Sequence, residues 1–152
     1  MEVIEVSRQI MEYLGVFEGS KPVLHDADAM IIKGKTHDKL KEDEIVPKLE
    51  ELFEHMNIKR IYLSSQKAKE FTDRADKKLR RVAEVYDESA GISGLERMKQ
   101  SFEMTGCVAD YMIGEIDSDI VVYVMVWFDK SDYWPMFVES AVIRLDPDDD
   151  EE

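Results

Sequence analysis

The residue types best suited to chemistry come early in the chain, where His25, Asp26, Asp28, His37 and Asp38 gather imidazole and carboxylate groups. These are the ligands of a hydrolytic zinc, manganese or iron centre, which must grip the ion and still leave a position for water. A chain reversal between the two doublets would bring His25 toward His37, and the corresponding reading is a metal-dependent hydrolase. Their spacing matches no metal motif, and both doublets fall in turn regions. Immediately before the second doublet, Gly34, Lys35 and Thr36 copy the end of a phosphate-binding loop. Ala29 stands where the first glycine is required, and the residues between read as a strand.

A second set lies on a helix. Lys67, Arg74, Lys78 and Arg81 fall along one flank of an apolar stripe, with Lys77 beside them and Asp73, Asp76, Glu84 and Asp87 toward the other side. A cationic ridge on an acidic chain suits an acidic protein partner, a phosphate group or the chain's own acidic tail. The plainer reading is a solvated flank, whose surface ion pairs contribute only about 0–1 kcal/mol each.

A third set is read from strands. Tyr123, Met125 and Trp127 share one face of a strand, and in the simplest register Asp110, Met125 and Ser140 form a row, with Arg144 nearby. Such a face is core, a small-ligand pocket or the seam of a homodimer. A desolvated Asp110 would have a raised pKa suited to acid catalysis, yet no histidine accompanies it. Cys107 has neither a nearby histidine nor a CxxC partner, so it reads as a structural thiol.

These residues need elements to position them. Ile120 to Phe128 is an unbroken run of β-branched, aromatic and methionine side chains between Asp119 and Asp129, which implies a central strand covered on both faces. A tight turn at Asp117 and Ser118 pairs it with Cys107–Ile116, and Met136–Leu145 returns as a third strand. Helices are expected at Glu2–Leu14, stopped by Gly15; at about Asp43–Met56, with Pro47 near its start and Asn57 at its end; and from Gln66 to about Glu88, capped by Ser64 or Ser65. Ser93 and Glu96 form a capping-box pattern for a short fourth helix. Short strands at 23–25, 30–33 and 58–63 complete the set, the last two framing a helix as a parallel, right-handed crossover.

The 152 residues carry 34 acids against 20 bases, a net charge of −14, which repels nucleic acid phosphates and anionic membrane. Glu2 and Glu5 occupy the place of a signal peptide's basic region, and one cysteine fits a cytoplasmic setting. Few amides and 36% charged residues lean toward a thermophilic source, while nine methionines lean away.

The expected architecture is one α+β domain over residues 1–145. It holds a mixed sheet of five to six strands with a C-terminal three-stranded antiparallel meander (107–145), and about four helices mainly on one face. Residues 146–152 are expected to be a disordered acidic tail. No nucleophile, base and oxyanion set assembles, so the preferred function is a non-catalytic protein-interaction or regulatory domain without cofactor, self-associating through the Tyr123 and Trp127 face. The alternatives are the metal-dependent hydrolase and a small-ligand-binding module.

Overall fold

A strand with no polar side must be covered twice, and the rest of the chain is arranged to do so. The computed structural model describes residues 2–16, 22–36, 42–62, 64–86, 108–117, 119–128 and 136–146. In chain order these form α1 (Val3–Tyr13), β1 (Pro22–His25), β2 (Ala29–Lys35), α2 (Glu42–His55), β3 (Lys59–Ile61), α3 (Gln66–Tyr86), β4 (Val108–Ile116), β5 (Ile120–Phe128) and β6 (Met136–Arg144). The class is α+β, as expected. The six strands run β1-β2-β6-β5-β4-β3 across one sheet.

Two helices cover one face and one helix covers the other. Val3, Val6, Ile10 and Met11 of α1 and Ile45, Leu49, Leu52 and Phe53 of α2 pack on Met112, Val122, Val124, Val126, Val138 and Val142. Ala68, Phe71, Ala75 and Leu79 of α3 pack on Ile113, Val121, Tyr123, Met125, Ala141 and Ile143. The result is three layers, which satisfies both faces of β5.

Local chemistry ends the helices where the sequence implies. Gly15 (φ 70°) and Asn57 (φ 57°) each take the left-handed conformation after a helix. After α2, the Asn57 N–H donates to the Glu54 carbonyl at 3.2 Å and the Ile58 N–H to that of Phe53 at 2.8 Å, which satisfies carbonyls the helix leaves open. The Ser65 hydroxyl accepts the Ala68 N–H at 3.1 Å and caps α3.

Several long-range expectations need correction. The sheet is wholly antiparallel among the described strands, not mixed. β2 and β3 do not pair: β2 has β6 along one edge and β1 along the other, and α2 carries the chain to the opposite edge of the sheet, where β3 pairs with β4. Helices lie on both faces, and three are present among the described residues; the expected fourth falls on 87–107, outside them.

The turn between β4 and β5 spans 117–119, with Ile116 opposite Ile120 and Asp117 at φ 56°. A two-residue turn would have paired Ile116 with Asp119. Asp119 is committed instead to β6: its carbonyl accepts the Leu145 N–H at 2.7 Å, and its carboxylate takes Arg144 at 2.8 Å. This one-residue shift transfers the β4 side chains from Met112 to Ile116 to the other face relative to β5, and the register changes again at an irregularity between Val108 and Asp110.

Gly114 permits the close approach of α2 and β3 to the sheet. A Cβ there would lie 2.5 Å from the Ile58 Cγ2, 2.7 Å from the Phe53 ring and 2.9 Å from the Lys59 carbonyl. Gly114→Ala is expected to cost about 1–3 kcal/mol through overpacking, read as a lower midpoint in urea with an unchanged slope.

Candidate functional site

Four cations and three carboxylates meet where α3 crosses the end of β6. The residues before the junction hold it in place. The Arg144 N–H donates to the Asp28 carbonyl at 2.8 Å, and the Leu145 N–H donates to that of Asp119, so two turns fix the exit from β6. Asp146 is thereby delivered to α3. Lys78 Nζ donates to Asp146 Oδ1 at 2.6 Å, Arg81 Nη2 lies 2.6 Å from Oδ2, and Arg74 Nη2 donates to the Asp146 backbone carbonyl at 2.7 Å. These three cations stand at positions i, i+4 and i+7, so the helical repeat alone aligns them along one side.

Lys78 is the buried member. Its side chain is 7% exposed, and its ammonium also reaches Asp28 Oδ2 at 3.4 Å. Burying an ammonium is costly unless carboxylates replace its water. Arg144 closes the other side, with Asp119 at 2.8 Å and Asp28 at 3.9 Å. The hydrogen bond from Lys78 holds the Asp146 carboxyl below the usual carboxylate range; partial burial opposes this, and Arg81 reinforces it.

The structure redistributes the residues singled out in the sequence. Arg74, Lys78 and Arg81 of the cationic ridge act together, whereas Lys67 lies near the other end of α3 and pairs with Glu115 at 2.5 Å. Asp28 belongs to the ion cluster, and the Asp26 carboxylate accepts the Asp28 N–H at 2.9 Å, shaping the turn between β1 and β2. The His25 side chain, His37 and Asp38 lie outside the described residues. Among the described residues, no group of three or more metal-ligating side chains is gathered. Gly34 and Lys35 are part of β2, and the buried Thr36 hydroxyl donates to the Leu14 carbonyl, so this segment is no phosphate loop.

The strand-derived set separates as well. Tyr123 and Met125 are fully buried in the core on the α3 side, and the Tyr123 hydroxyl lies 3.1 Å from that of Thr72. Ser140 pairs with Val124 and touches the Met11 sulfur at 3.4 Å, on the opposite face. Asp110 stands opposite Val126, not Met125, and its side chain and that of Trp127 lie outside the described residues, as does Cys107. The expected row of Asp110, Met125 and Ser140 therefore does not form: the β4–β5 turn is one residue longer than expected, and β6 pairs with Ser140 opposite Val124. Among the described side chains of this set, Arg144 alone reaches the ion cluster.

Asp146, expected within the disordered acidic tail, directly follows the buried Leu145 and is held by α3, the tail being one of the occupants that the cationic ridge suits. A second grouping is not foreseen in the sequence. On the α1–α2 surface, the Tyr13 hydroxyl donates to Glu51 at 2.6 Å, while Lys48 lies 4.6 Å from its ring centroid and the His55 ring 5.2 Å away. The Glu51 hydrogen bond, then burial and the Glu51 charge, push the Tyr13 pKa up to about 12. At neutral pH this tyrosine is a donor, not a base.

The comparisons with known proteins concern the whole chain. Residues 5–142 match the family described as "uncharacterized protein conserved in archaea (DUF2120)", and the chain belongs to that family. The uncharacterized protein MJ0491 of Methanocaldococcus jannaschii is 33% identical over 140 residues, covering 90% of this chain and 80% of the relative. No solved structure matches. No helix among the described residues is long and apolar enough to cross a membrane.

Substitutions at the cluster and at Tyr13 test these electrostatics. Asp146→Ala leaves the buried Lys78 with only the longer contact to Asp28 and is expected to cost about 1–3 kcal/mol, whereas Lys78→Met leaves partly exposed carboxylates that rehydrate, at about 1 kcal/mol or less. Because the Asp146 pKa is lowered on folding, its contribution is present above the ordinary carboxylate range and disappears as pH falls through the lowered value. The wild-type and Asp146→Ala melting temperatures should accordingly converge in acid. For Tyr13 the raised pKa reverses the sign: its contribution is complete below the unfolded value and is lost as pH rises toward about 12. The ultraviolet difference titration between wild type and Tyr13→Phe should show a phenolate appearing near that pH.

Proposed function

We propose that this member of the archaeal family is a non-catalytic protein-binding domain that takes an acidic segment of a partner protein on the cationic side of α3. One observation carries the reading: Arg74, Lys78 and Arg81 converge on both the carboxylate and the backbone carbonyl of a single acidic residue, Asp146. Recognition of side chain and main chain together is what an extended acidic peptide requires. Arg81 remains 58% exposed, and its guanidinium has five donors, so the same side can engage further carboxylates.

Charge placement supports the choice of partner. Four cations face three carboxylates in this cluster, on a chain whose net charge is −14. The local excess attracts an acidic segment, while the remaining surface disfavours nonspecific contact with nucleic acid. Tyr123 and Met125 lie buried in the same core as α3, which supports the helix over these sheet residues as the contact surface. The single cysteine favours a cytoplasmic setting.

Titrating a hexa-aspartate peptide into the isotope-labelled full chain at low salt is expected to shift the amide resonances of residues 74–81. Added salt should weaken the effect. In Arg74→Glu/Arg81→Glu the affinity should fall by about tenfold or more, which is about 1.4 kcal/mol. Binding that survives this double charge reversal unchanged, or no binding by any form of the chain, overturns the reading.

A further inference from the structure

Resting on that reading, we infer that the resident occupant of the cationic site is this chain's own Asp146, and that an acidic partner binds by displacing it. Asp146 already occupies the positions an incoming acidic residue would need. Its two carboxylate oxygens are taken separately by Lys78 and Arg81, and its carbonyl is taken by Arg74. The residues that follow are Pro147, Asp148, Asp149, Asp150, Glu151 and Glu152, so the segment continues with the charge that the site selects.

The attachment is short and stiff. The Leu145 N–H is bonded to the Asp119 carbonyl and the Arg144 N–H to that of Asp28, which leaves Asp146 one residue beyond a fixed strand end. A tethered ligand competes at an effective concentration that for short flexible linkers is already about millimolar. A tether this constrained gives an acidic partner a substantial local competitor. The buried ammonium of Lys78 strengthens the arrangement, since an empty site would leave it with Asp28 alone at 3.4 Å. The site therefore exchanges one carboxylate for another and is not left open.

Two consequences distinguish a displaceable occupant from a purely structural clamp. Partner affinity should rise when the occupant is weakened, and the gain should depend on the same arginines. The test measures hexa-aspartate affinity for the full chain, for full-length Asp146→Ala and for a chain ending at Leu145, each confirmed as folded by its melting transition. Both altered chains are expected to bind about tenfold tighter or more than the unaltered chain, and Arg74→Glu/Arg81→Glu placed in either background should abolish the gain. Equal affinity of all three chains for the peptide, still lost on charge reversal, overturns the displacement while leaving the α3 binding face intact. Absence of binding by every chain overturns both.

Discussion

The constraint on which the structure depends is the two-sided burial of β5. Ile120 through Met125 are fully buried and Val126 is 2% exposed, so water has no place on either face. At roughly 25 cal/mol per Å² of apolar surface, several such side chains make a two-sided cover one of the largest favourable terms available to the fold. α1 and α2 supply one cover, and α3 supplies the other. The strand order follows the same logic. β4 and β6 flank β5 with nine-residue strands, while the three-residue β3 is left at an edge.

Placing α3 over the second face creates the electrostatic corner. Its apolar residues Ala68, Phe71, Ala75 and Leu79 seat the helix, and Lys78, beside Leu79, is drawn below the surface with them. A buried ammonium must then be met by carboxylates, and those within reach come from the β1–β2 turn and the end of β6. The ion cluster is thus a product of packing. It joins the helix to the β1–β2 turn and the end of β6, and it gathers four cations against three carboxylates on an acidic chain.

Much of this was legible in the chain because it is local. The helix ends at Gly15, Asn57 and Ser65 are set by single residues with particular backbone or hydrogen-bonding properties. The three C-terminal strands follow from alternation and from runs of β-branched residues. Register was not legible, since it turned on whether Asp119 belonged to the turn or to β5, and that was decided by Arg144 and Leu145 about 25 positions away. The pairing of β2 with β6 was hidden for the same reason. A strand, a helix and a strand in succession suggest neighbours in a sheet, but β6 offered β2 a longer partner than β3 could.

The site divides along the same line. Helical periodicity by itself put Arg74, Lys78 and Arg81 on one side of α3, and composition by itself marked the C-terminal residues as their complement. Only the tertiary structure decided that Asp28 from the early His and Asp set and Arg144 from the strand-derived set join those cations with Asp119 and Asp146. The physical reason is range: periodicity and propensity act over one or two turns of chain, whereas the pairing of a buried charge is settled by whichever segments the closing of the core brings beside it.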